Sequence, residues 1–134
     1  MNYTNYTNIE QSRKLLELGL RPESADMYYK QKIGERTDLP YYEVVVGHSF
    51  AAEQNLFSFR NGLEIPYWSV GALLELLNYP KLYEDRLGDE DVWFCESFIE
   101  EWSEYYQGDA MKTQIDAVYI LICWLLQNEH IKTK

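Results

Sequence analysis

The sequence predicts an α+β domain: three helices, about 8–19, 69–79 and 113–128, packed on a small antiparallel sheet with strands near 41–46, 91–97 and 101–106. Three observations carry this prediction. Val70, Leu73, Leu74 and Leu77 recur at i, i+3, i+4 and i+7, the stripe of a helix with one buried face. Ala117 to Leu126 is a ten-residue apolar run behind Thr113, a good helix-capping residue. Tyr41-Tyr42-Glu43-Val44-Val45-Val46 is aromatic and β-branched, as strands are. A length of 134 residues suits a single domain, read as a flexible tail over 1–7 and a globular unit over 8–134.

The elements follow in order. Thr7 and Glu10 stand at capping-box spacing, so the first helix starts there and carries Ile9, Leu15, Leu16 and Leu18. Gly19 ends it, with Leu20 packing back, and Pro22 forbids continuation. A short helical turn through Ala25–Tyr29 is expected next, because Pro22 and Glu23 suit a first turn. Residues 30–40 read as a loop, and Asn61-Gly62 as a turn. Ser69 caps the second helix and Pro80 marks its end. Thr113 and Asp116 open the third, which is apolar nearly all round and so belongs at the centre of the core or under a partner. His130 follows its last turns, where positive charge suits the helix dipole.

Residues 91–106 admit two readings. Val92, Cys95, Ile99, Trp102 and Tyr106 fall at steps of 3, 4, 3 and 4, which is helical. The composition of Trp93-Phe94-Cys95 and of Trp102 to Tyr106 is that of a hairpin, and two strands is the reading adopted.

Charge is concentrated. The chain has 22 acids and 12 bases, a net of −10, and residues 82–111 alone hold ten acids and the single base Arg86. Such a balance excludes an unaided binder of nucleic-acid backbone, which works by releasing phosphate counterions with Lys and Arg. The same thirty residues carry Trp93, Phe94, Trp102, Tyr105 and Tyr106. A solvated face that keeps the protein soluble is the simplest reading of such a run. A docking surface for a basic protein is the functional one, with Trp93, Glu96, Glu100, Glu101, Trp102, Glu104 and Tyr105 as its candidate residues. Metal binding is weaker still, since Asp85, Asp89 and Asp91 lack the order of a calcium loop and its closing glutamate.

Chemistry has little support. His48 and Ser49 are adjacent and point to opposite faces of an extended chain. A Cys95–His48 thiol–imidazole pair has nothing in the sequence to bring it together. Glu100-Glu101 and Glu90-Asp91 are adjacent carboxylates with no setting that separates their pKa values. The glycines never cluster as a phosphate loop, and the cysteine and histidine spacing fits no zinc site, so no catalytic residue and no cofactor is expected. Cys95 and Cys123 read as buried free thiols of a reducing compartment. The Asn-Tyr-Thr start has neither the basic nor the apolar part of an export signal, and the longest apolar run is half the roughly 20 residues of a spanning helix. A cytoplasmic location without membrane contact is the expectation, and the two glycosylation sequons at Asn2 and Asn5 are then coincidental.

Three segments together carry a resemblance: Ile9-Glu10-Gln11-Ser12-Arg13-Lys14-Leu15-Leu16-Glu17-Leu18-Gly19-Leu20 with Ala25-Asp26-Met27-Tyr28-Tyr29, then Pro66-Tyr67-Trp68-Ser69-Val70-Gly71-Ala72-Leu73-Leu74-Glu75-Leu76-Leu77, then Asp116-Ala117-Val118 through Cys123-Trp124-Leu125-Leu126. In that order they resemble a family of small uncharacterised proteins encoded by phages and integrated mobile elements of gut bacteria. That resemblance implies an accessory protein with no catalytic residues, and an extended aromatic segment before the last helix. The functional expectation is a non-enzymatic module that binds a basic protein through 82–111. A homo-oligomeric structural protein is the alternative, and an enzyme of unknown class the third.

Overall fold

A computed structural model describes residues 5–33, 40–46 and 64–131. Its elements are α1 (Ile9–Glu17), β1 (Met27–Ile33), β2 (Pro40–Val46), β3 (Glu64–Tyr67), α2 (Val70–Leu74), β4 (Lys81–Leu87), β5 (Glu90–Ile99), β6 (Glu104–Gln107) and α3 (Gln114–Gln127), with 3-10 turns at Pro22–Ser24 and Glu100–Trp102. The α+β class holds, and 91–106 is a strand, a turn and a strand rather than a helix.

The single sheet does not hold. There are two antiparallel three-stranded sheets, in the orders β2-β1-β3 and β4-β5-β6. Residues 41–46 pair with β1, Tyr29 facing Val44, and not with the aromatic segment. The segment's partner is β4, which joins β5 through a tight turn at left-handed Gly88 (φ 68°). β4 escapes sequence reading because it is an exposed edge strand: no alternation of buried apolar residues marks it. The helical turn expected at 25–29 is likewise replaced. A 3-10 turn stops at Ser24, and β1 runs from Met27 with Ala25 and Met27 buried on alternate positions.

Capping decides where α1 begins. Asn8, not Thr7, is the N-cap, exchanging side-chain and backbone hydrogen bonds with Gln11 at 2.7 and 3.0 Å. Thr7 turns inward: its hydroxyl accepts the Trp68 N–H at 3.1 Å and meets Ser12 Oγ at 2.8 Å. Asn5 to Thr7, assigned to the tail from sequence, are thus fastened: the Thr7 N–H donates to the Trp68 carbonyl and the Asn5 carbonyl accepts from Val70. Gly19, at φ 97°, closes α1, and the Leu20 N–H reaches the Leu15 carbonyl at 2.9 Å, placing buried Leu20 against the core.

α2 is shorter than 69–79. It ends at Leu74, and tighter turns carry Leu77 into the core before left-handed Tyr79 and Pro80. α3 matches its sequence boundaries, with Thr113 Oγ1 accepting from the Asp116 N–H at 3.2 Å. Its Leu121, Ile122, Val118 and Leu125 are fully or nearly fully buried, and Cys95 and Ile99 of β5 belong to the same cluster as Leu15 of α1 and Leu73 of α2. Among the described residues no helix is long and apolar enough to cross a membrane.

Candidate functional site

The sheet β4-β5-β6 is built from alternation along β5. Cys95, Ser97 and Ile99 are buried on the α3 side, and Phe94, Glu96 and Phe98 stand on the opposite, half-exposed side. Register extends that outer face over both neighbours, with Tyr83 opposite Phe94, Lys81 opposite Glu96 and Tyr105 opposite Phe98. The rings meet in pairs: Tyr83 on Phe94 at 5.7 Å, Phe98 on Tyr105 at 5.5 Å. The latter pair is edge-to-face at 67°, which stabilises a sheet but covers the ring faces that a flat stacking ligand would need. Gln107 Nε2 donates to the Tyr83 hydroxyl, tying β6 to β4 across β5, and the Lys81 ammonium lies 4.2 Å over the Tyr105 ring. Partial burial, and after it the Glu96 charge, raises the Tyr83 phenol, while the Gln107 bond acts the other way.

A second cluster forms where β5 turns into β6. The 3-10 turn Glu100–Trp102 ends on Ser103, held left-handed at φ 54°, and this turn directs the Trp102 ring onto α3. There Trp102 stands edge-on to Trp124 (5.8 Å) and to His130 (5.2 Å). Behind it Tyr106 stacks on Trp124 at 3.7 Å and 10°, and His130 lies nearly parallel to Trp124 at 5.5 Å. The Glu101 carboxylate is 3.7 Å from His130 Nδ1. Glu100, Glu101 and Glu104, next to Trp102 in the chain, are exposed, and the indole is itself 46% exposed. Beside them opens a cavity of about 170 Å³ lined by Asn78, Ser97, Glu100, Glu101, Leu125 and His130.

The seven candidate residues therefore divide. Glu100, Glu101, Trp102 and Glu104 come together at the turn. Glu96 and Tyr105 belong to the outer face of the sheet. Trp93 belongs to neither: it packs half-buried against the core and exchanges backbone bonds with Met111 at 2.7 and 3.0 Å. Sequence reading missed His130 as a site residue. Its proximity to Trp102 depends on left-handed Glu129 (φ 59°) and on the His130 N–H reaching the Leu125 carbonyl, neither of which has a sequence signature.

Neither cysteine is poised as a nucleophile. Burial, and then the neighbouring Glu96 charge, pushes the Cys95 thiol up to about 12. Cys123 is raised too, chiefly by burial and despite a bond to Tyr119. Both cysteines are free and buried. His48 lies outside the described residues, as do Ser49 and the Asn61-Gly62 turn. Among the described residues no three His, Cys, Asp or Glu side chains stand together as metal ligands.

No family model, curated protein or solved structure matches this chain.

Proposed function

We propose that this chain is a non-enzymatic protein-binding module that docks a basic protein through the Trp102 end of its second sheet. One observation carries the reading: a half-exposed indole, packed on Trp124 and His130, sits on a turn whose neighbours Glu100, Glu101 and Glu104 are all exposed. Interfaces draw most of their affinity from a few such aromatic anchors, and their rims discriminate by charge. A partner's Lys or Arg lays its stem against Trp102 and sets its charge among the three carboxylates, with the adjoining cavity open to a second side chain. The wider field favours the same partner, since residues 82–111 carry a net charge of −9. The resemblance set out from the sequence makes the module an accessory protein of a phage or mobile element, working in the cytoplasm of a bacterial host.

The test is capture from host lysate by immobilised native protein, with E100K/E101K/E104K and Trp102→Ala as controls. A basic protein retained by the native chain and lost by both variants supports docking here. Equal recovery from all three makes the acidic segment a solubilising face.

A further inference from the structure

The outer edge of β4 presents a short, self-complementary pairing surface. Trp93 sends both of its backbone bonds to Met111, so its N–H and C=O point away from β4. Successive residues of a strand address opposite edges, so Val92, Phe94 and Glu96 turn towards β4. Their register partners Asp85, Tyr83 and Lys81 turn back to β5. The N–H and C=O groups of Leu82, Glu84 and Arg86 therefore face outward. Asp85 Oδ1 accepts the Arg86 N–H at 2.8 Å and closes that end of the edge. Leu82 and Glu84 remain open, one on each side of Tyr83. Among the described residues no strand pairs with this edge, and only Leu82 and Tyr83 of β4 are half-buried.

Any strand satisfies backbone groups, so the side chains decide which one docks. We propose that a second copy of this chain does, its β4 lying antiparallel to the first about a two-fold axis at Tyr83. In that register Leu82 of each copy faces Glu84 of the other, so the four open backbone groups of each edge meet as two hydrogen-bonded pairs. Lys81 of each copy faces Asp85 of the other, an opposite-charge pair formed twice on the outer face. Tyr83 meets Tyr83. Moving the axis to Glu84 or to Asp85 sets a carboxylate against its own copy, and moving it to Leu82 forfeits both Lys81–Asp85 pairs, so charge favours the Tyr83 register. Lys81 leaves the Tyr105 ring to reach its new partner, and the second Asp85 oxygen remains for it beside the one holding Arg86. The net charge of −10 on each copy opposes approach, but physiological salt screens it beyond about 8 Å while pairs in contact keep their attraction. The Trp102 cluster lies on the connection to β6, the opposite edge strand, so this pairing is independent of the docking reading and leaves that surface free.

Sedimentation at physiological salt over a wide concentration range tests it. The native chain is expected to form dimers. Lys81→Asp and Asp85→Lys each set like charges opposite and weaken the dimer about tenfold or more. The double variant K81D/D85K, and an equimolar mixture of the two single variants, restore it, because each re-creates both opposite-charge pairs. Recovery in the mixture also proves that both single variants are folded. A native chain that stays monomeric throughout overturns the proposal, as do single variants that dimerise like the native chain, or a mixture that fails to recover.

Discussion

Trp68 and Trp102 occupy opposite kinds of site, and the contrast separates what holds this molecule together from what it offers to others. Trp68 is fully buried, its indole N–H donating to Ser24 Oγ at 2.9 Å and its backbone bonded to Thr7 in both directions. The adjoining Ser69 is fixed by Asp26, which accepts from both its N–H and its hydroxyl. The polar groups of Trp68 and Ser69 are thus satisfied within the fold, and this indole offers nothing to a ligand. Trp102 has aromatic neighbours on one side and water on the other, and no described residue accepts its indole N–H. Both indoles pack against the fold, but of the two only Trp102 is offered to solvent.

That contrast can be broken from its strongest end. Trp68→Ala is expected to destabilise the fold by about 3–5 kcal/mol, a cavity cost visible as a lower urea midpoint. Alkali acts next on the buried side. The Cys95 thiol is held neutral up to about 12, whereas an unfolded thiol ionises near about 8.5. The unfolded state then loses its proton first, so stability is full below about pH 8.5 and declines as the pH climbs towards about 12. Urea melts at about pH 7 and about pH 10 are expected to show the fall, and Cys95→Ala to lessen it, the raised Cys123 thiol keeping a share. Thr7→Ala, which leaves the Trp68 N–H and Ser12 short of a partner, costs about 1–3 kcal/mol by the same melts. Trp102→Ala costs only about 1 kcal/mol of stability, from lost ring contacts, while abolishing partner capture. E100K/E101K/E104K, at exposed positions, moves the melt by about 0.5 kcal/mol or less and also abolishes capture. A Trp102→Ala protein that unfolds like Trp68→Ala erases the distinction between the two sites.

The parts of the fold legible in the sequence are those decided locally. α3 is read from Thr113 and a ten-residue apolar run, and α1 stops where Gly19 supplies the left-handed residue. β1 and β4 are not legible. β4 is exposed at the sheet edge, and its Glu84, Asp85 and Arg86 read as loop residues. The division into two sheets is a matter of which strand pairs with which, and pairing of β2 with β1 rather than β5 leaves no mark on β2 itself. The Thr7–Asn8 exchange is instructive: either residue caps a helix well, and only the buried Trp68 N–H, 61 residues away, claims the threonine. The site shows the same limit. Its carboxylates and Trp102 were visible as a cluster in sequence, whereas the separation of Trp93 from them and the arrival of His130 depend on strand pairing and on the chain reversal after α3.

Docking at Trp102 is tested most directly by following backbone amide and indole NMR signals during titration with a lysine- and arginine-rich peptide, beside a glutamate-rich peptide of equal length. The expected result is saturable shifts confined to residues 99–106, the Trp102 indole and His130, seen with the basic peptide alone and lost in E100K/E101K/E104K. Shifts spread evenly over all the exposed carboxylates, and unchanged by Trp102→Ala, would contradict a docking site there and leave the acidic segment as solvated surface.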